Sequence, residues 1–231
     1  MLITMFFYHA AWDIVYIYDI KISWFKSTVT YVLQQLICSS FIILSGLCWR
    51  LSSSVKTHLK NGIVVFACGL LITAVTLNLT AEAHIHFGIL TFMGSAMFIM
   101  IPLDKLLCCV ENRTGAVTAL AAFILCRNIG RGELLFGALK LPQQLYKGMF
   151  MTYLGFTEFG FYSADYFPLL PYIFMYIFGY YLSPLLIDPK NRALYIKVPA
   201  AEVIGRHSLL LYLLHQPVIY GILQLLFYFK K

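Results

Sequence analysis

The chain has 231 residues, of which 61% are hydrophobic and only 12% charged, with 19 Phe and 16 Tyr; its mean hydropathy is +0.80. Apolar runs this long and this numerous exceed the needs of a soluble core and match spans of about 20 apolar residues, so an ordinary soluble domain is excluded and an integral membrane protein is indicated, with the lipid bilayer as its first partner. A formal charge of +7 and a pI near 9.1 would suggest nucleic acid in a soluble protein, but here Lys and Arg fall between apolar runs and read as topology signals, so no nucleic-acid partner is expected.

The first span is expected from about Leu2 to Tyr18. It lacks a basic n-region and a small-residue cleavage site, so it reads as an inserted helix rather than a cleaved signal peptide. Inside it, Phe6-Phe7-Tyr8-His9-Ala10-Ala11-Trp12-Asp13 places a histidine and a carboxylate at i and i+4. That spacing puts both on one helix face, where a carboxylate could orient an imidazole and raise its basicity, as an acid-base or acyl-accepting histidine requires. The competing reading is a polar pair that joins this helix to a neighbour.

A turn with Asp19, Lys21 and the interfacial Trp24 leads to a second span, about Thr28 to Trp49, which carries Gln34-Gln35 and Ser45-Gly46. The Ser-Gly step suits a close helix-helix contact better than a ligand site. The basic loop Arg50 to Asn61 precedes a third span, about Gly62 to Leu79; His84 and His86 then lie in a polar re-entry turn before a fourth span, about Phe87 to Leu103. The apolar run Thr114 to Cys126 is short enough that a re-entrant helix competes with a true span. From Arg127 to Ser163 the long apolar runs stop, and short amphipathic helices lying at the interface are expected. Asp165, with Pro168 and Pro171, leads into a span from about Leu169 to Leu185; a proline-bearing loop to Glu202 and the Gly205-Arg206-His207-Ser208 step open the last span, about Ser208 to Phe229, with His215-Gln216-Pro217 near its middle.

The expected class is therefore all-α: a polytopic transmembrane helical bundle of about seven spans, forming one domain over residues 1–231. Under that topology the 17 Lys and Arg residues divide nine to eight between the two sides, too even to set the orientation. The cysteines, at Cys38, Cys48, Cys68, Cys108, Cys109 and Cys126, match no zinc spacing and no disulfide framework, so they read as small apolar packers and no metal is expected.

Polar residues within or beside the spans are few, and His9, Asp13, Ser45, Asp165, Arg206, His215 and Gln216 stand out among them. If the first and last spans pack side by side, His9 and Asp13 would share a cavity with His215 and Gln216, the usual mark of a site in an apolar bundle. The other reading of His215-Gln216-Pro217 is a proline kink whose freed carbonyl takes a polar neighbour. No glycine-rich phosphate loop is present; a coenzyme would have to use scattered basic groups, of which Arg206 is the best placed, although it also suits a snorkelling anchor.

Five motifs, Tyr8-His9-Ala10-Ala11-Trp12-Asp13, Ile42-Ile43-Leu44-Ser45-Gly46, His86-Phe87-Gly88-Ile89-Leu90, Asp165-Tyr166-Phe167-Pro168-Leu169-Leu170-Pro171 and Gly205-Arg206-His207-Ser208-Leu209-Leu210-Leu211-Tyr212-Leu213-Leu214-His215-Gln216-Pro217, occur in this order along the chain. In them the chain resembles the heparan-α-glucosaminide N-acetyltransferase catalytic-domain family, in its short bacterial form. The resemblance implies a multi-pass protein of the bacterial cytoplasmic membrane that takes an acetyl group from acetyl-CoA, its donor substrate, to a sugar or other small-molecule acceptor. It places the family's histidine of the first helix on His9, while an Arg-Gly element that members carry at the start of that helix has no counterpart here.

The expected activity is thus acyl transfer from a CoA thioester to a glycan or envelope acceptor. His9 and Asp13 are the expected catalytic residues, and Ser45, Asp165, Arg206, His215 and Gln216 the expected substrate-binding ones. Heparan sulfate itself is not the expected acceptor, and monomer and homo-oligomer are both open. The reading from a different class is a non-catalytic small-molecule or lipid-binding protein, or a permease, built on the same bundle, since fold resemblance alone does not establish a reaction.

Overall fold

The computed structural model describes residues 2–25, 27–52, 54–79, 83–187 and 199–228. These residues form nine α-helices: α1 (Leu2–Tyr16), α2 (Thr28–Trp49), α3 (Val55–Thr76), α4 (Ile89–Leu107), α5 (Asn112–Cys126), α6 (Met149–Leu154), α7 (Leu169–Leu186), α8 (Pro199–Arg206) and α9 (Ser208–Tyr228). Sheet among the described residues is confined to one antiparallel pair, β1 (Glu133–Leu134) and β2 (Leu139–Lys140), with Glu133 opposite Lys140. The protein is all-α, and α2, α3, α4, α7 and α9 are each long and apolar enough to cross a membrane. Helices α1 and α5 have 15 residues each, a rise of about 22 Å against a hydrocarbon core of about 30 Å. The doubt that attached to the run Thr114 to Cys126 therefore applies to the first helix as well.

Several boundaries differ from the sequence expectation. Helix α3 begins at Val55 rather than Gly62, because Ser54 caps it by accepting a hydrogen bond from the Thr57 amide at 3.4 Å. In its first turn His58 stacks on Trp49 with ring centroids 3.7 Å apart and donates from Nε2 to the Ser52 carbonyl at 2.9 Å. Helix α4 starts at Ile89 rather than Phe87, and runs through Pro102 to Leu107. The stretch from Arg127 to Ser163 forms the β1–β2 hairpin and isolated 3-10 turns instead of amphipathic helices, with α6 its one α-helix. Gly132, Gly137, Gly148 and Gly155 all take positive φ there, a conformation no helix can continue through. The expectations that rest on Lys26, Pro189, Lys190, Arg192, Lys197 and Lys230-Lys231 lie outside the described residues.

The chain divides into two compact units, one formed by Met1–Phe41 with Lys190–Lys231 and the other by Ile42–Pro189. In the first, α1 packs on α9, and α8 also touches α9. The buried residues of α9 are His215, Ile219 and Leu223, an i, i+4, i+8 stripe; Met5 and Asp13 of α1 are spaced by the same two turns.

The second unit is built on the pairs α3 with α4 and α5 with α7, with α4 also against α7. Tyr176, Tyr180, Phe92 and Met100 are wholly buried at its centre. Small residues let the backbones meet. A Cβ at Gly69 would lie 2.6 Å from the Thr91 amide nitrogen, and one at Gly94 would lie 2.6 Å from Phe66 Cβ. Between α2 and α7 the contact is reciprocal: a Cβ at Gly46 would strike the Tyr176 carbonyl and one at Gly179 the Ile43 carbonyl. The Ser45-Gly46 step thus serves the close helix contact expected of it. Gly179→Ala should force α2 and α7 apart and cost about 1–3 kcal/mol, whereas Gly221→Ala, where a Cβ meets open space, should not lower stability; thermal unfolding of the two variants in detergent compares them directly.

Candidate functional site

The polar residues of the first unit meet where α1 crosses α9. Asp13, wholly buried, accepts a hydrogen bond on Oδ1 from Gln216 Nε2 at 2.7 Å. The imidazole of His215 is 5% exposed and packs against that of His9, ring centroids 4.7 Å apart at 60°. Phe6 covers another side of His215, its ring 5.8 Å away, and Tyr8 lies edge-on to His9 at 5.5 Å. His9, His215, Asp13 and Gln216 therefore form one cluster, as side-by-side packing of the first and last helices requires. Asp13, however, makes its hydrogen bond to Gln216 of the other helix, so the i, i+4 spacing does not make it the partner that orients His9.

Donors and acceptors in this cluster are unequally used. His215 Nδ1 faces the carbonyl of Tyr212, one turn back along α9; a carbonyl can only accept, so Nδ1 carries the proton and Nε2 is left as a lone pair. Asp13 Oδ2, His215 Nε2 and Gln216 Oε1 are all buried with no hydrogen-bond partner. Buried polar atoms are nearly always paired, so three bare acceptors in one cluster define a place that takes a hydrogen-bond donor. Beside it runs an apolar groove of about 510 Å³ whose lining includes Leu2, Phe6, Ala10, Ile204, Leu211 and Ile219.

The remaining expected residues stand elsewhere. Arg206 pairs with Glu202 at 2.8 Å one turn away on α8, with both side chains well exposed, the kind of surface pair that contributes little stability. Ser45 and Asp165 belong to the second unit. Ser45 Oγ donates to Tyr176 Oη at 3.5 Å, a long bond inside the α2–α7 contact.

Asp165, in the connection ahead of α7, accepts the Ile89 amide on Oδ2 at 3.1 Å, so that it caps the start of α4. The cap belongs to a small backbone junction: Ala164 donates to the His84 carbonyl and Phe167 to the Phe87 carbonyl, each at 2.9 Å, while Ser163 Oγ donates to the carbonyl of His86 and accepts from its amide, each at 2.9 Å. His84 and His86 thereby sit in the non-helical turn expected for them, their rings 6.3 Å apart. Burial pushes the Asp165 carboxyl up to about 6, and the Ile89 hydrogen bond opposes that shift.

Sequence reasoning singled out both histidines but missed what orients one of them. The Tyr212 carbonyl lies at i−3 from His215, a spacing within reach of a side chain turned back along its own helix.

An apolar chain with five helices able to span a bilayer, and a buried two-histidine cluster between its first and last helices, is an integral membrane protein with a chemically equipped interior. A family model described as heparan-alpha-glucosaminide N-acetyltransferase, catalytic, matches residues 1–217, and the chain belongs to that family of membrane acetyltransferases. Comparison with curated proteins and with solved structures yields no match.

Two measurements probe the polar contacts. Gln216→Leu leaves the Asp13 carboxyl wholly buried without its donor and should lower stability by about 1–3 kcal/mol; the double variant Asp13→Leu/Gln216→Leu, read by the same detergent unfolding, should recover part of that loss. A carboxyl that ionises near 6 when folded and at 3.8 when exposed holds its proton more tightly in the folded protein, so its contribution to stability should fall as pH rises from about 4 to 6 and then level off, by roughly 2–3 kcal/mol in all. Asp165→Asn should remove that slope from a series of unfolding midpoints across the window.

Proposed function

We propose that this protein is an integral membrane acyltransferase that moves an acetyl or similar acyl group from a CoA thioester to a hydroxyl or amine on a glycan or envelope component, in the bacterial cytoplasmic membrane. The observation that carries this reading is the edge-on packing of His9 against His215 at the α1–α9 crossing, in a chain of the acetyltransferase family. An imidazole is the side chain best suited to accept an acyl group or a proton near neutral pH. His9 acts as the acyl-accepting nucleophile. Asp13 is a positioning residue: through its 2.7 Å bond to Gln216 it ties α9 to α1 and so keeps the two imidazoles in register.

Acetyl-CoA is the donor expected of this family, and the acceptor is a small molecule or glycan carrying a nucleophilic O–H or N–H. In reconstituted membranes the wild type should move radiolabelled acetyl from acetyl-CoA to an envelope extract, and His9→Ala should reduce that transfer by at least 100-fold, within the range that a lost acid-base or nucleophilic group commonly costs. Full transfer by His9→Ala would remove His9 from the mechanism.

A further inference from the structure

We propose that His215 is a second catalytic residue, the base that takes the proton of the acyl acceptor, so that the two histidines divide the reaction between them. This rests on the acyltransferase reading above and assigns the acceptor side of the same site. The placement of protons in the cluster carries it. His215 spends its Nδ1–H on the Tyr212 carbonyl, and Gln216 spends an N–H on Asp13. The buried atoms left without a partner are His215 Nε2, Gln216 Oε1 and Asp13 Oδ2. A thioester carbonyl would find no donor among these three atoms, whereas an incoming O–H or N–H would find three acceptors. Of the three, a neutral imidazole nitrogen is the one suited to hold a proton transiently near neutral pH. His215 Nε2 belongs to a ring whose centroid is only 4.7 Å from that of His9, so a proton acceptor and a nucleophile stand side by side.

The steps balance as follows. A ring nitrogen of His9 bonds to the thioester carbonyl carbon, the C–S bond breaks, and the electron pair leaves on the CoA sulfur. The acceptor oxygen or nitrogen then bonds to that same carbon while its proton passes to His215 Nε2. The C–N bond to His9 breaks, its electron pair returns to the imidazole, and His215 afterwards releases the proton to solvent. Gln216 Oε1 and Asp13 Oδ2 hold other donor groups of the acceptor.

Two assays on the full-length protein in lipid nanodiscs separate the halves of the reaction. One measures exchange of acetyl between acetyl-CoA and radiolabelled free CoA, whose thiol is a far stronger acid than an alcohol and needs less help from a base; the other measures transfer to an envelope extract at the same pH. His215→Asn keeps an N–H for the Tyr212 carbonyl and removes the Nε2 lone pair, and His215→Gln supplies a polar but non-basic group. Both variants should lose transfer by 100-fold or more while exchange falls by less than 10-fold. Parallel loss of exchange and transfer in both variants, or retention of transfer in either, would overturn the assignment. A wild type inactive in both assays would instead sink the acyltransferase reading, and this assignment with it.

Discussion

In a helix surrounded by hydrocarbon or apolar protein, a carboxyl cannot turn to water, and it must find its hydrogen bonds on a neighbouring helix or lose them. Asp13 meets this constraint through Gln216, at 2.7 Å and 203 residues away along the chain. The bond joins the first described helix to the last. It also sets the rotation of both: with Asp13 turned toward α9, His9, one turn earlier on α1, is carried toward His215, and the buried stripe His215, Ile219, Leu223 faces the same crossing. The two-histidine geometry, the bare acceptors and the proposed chemistry all depend on this contact.

The second unit follows a different physical rule. Its helices approach through glycine, with Gly46 and Gly179 each placed where a Cβ would strike the opposing backbone, and with Gly69 and Gly94 admitting Thr91 and Phe66. Where the hydrophobic effect offers helices little reason to associate, close backbone packing supplies one. Polar side chains in this unit hold the framework together. Asp165 caps α4 from a distant connection, and Ser163 bridges the amide and carbonyl of His86. At the α1–α9 crossing, by contrast, polar atoms are left without a partner.

Membership in the acetyltransferase family and the local chemistry bear on different questions. The family speaks to the kind of group transferred, while the tautomer of His215 bears on which partner its side of the cluster receives. A histidine whose one unbonded ring nitrogen carries a lone pair is suited to receive an O–H or N–H there rather than a carbonyl.

The apolar, helical nature of the long elements was legible in the sequence because each rests on an apolar run: α2 matches its expected bounds residue for residue, and α7 ends within one residue of expectation. The scarcity of polar residues within those runs likewise singled out His9, Asp13, His215 and Gln216, since few alternatives existed. The fate of the Arg127 to Ser163 stretch was not legible, because glycine permits positive φ without dictating it, and only the folded chain shows which of its glycines adopt it. Nor could local spacing decide partners. The i, i+4 rule placed Asp13 beside His9, yet hydrogen bonds form with whichever group tertiary packing brings within 3 Å or so, and for Asp13 that group is on α9. Composition and periodicity thus determined that this is an all-α membrane protein and which side chains were eligible for chemistry. Only the tertiary structure decided which of them meet, which hydrogen each one holds, and which lone pairs are left free, because those follow from contacts between helices that lie far apart in the chain.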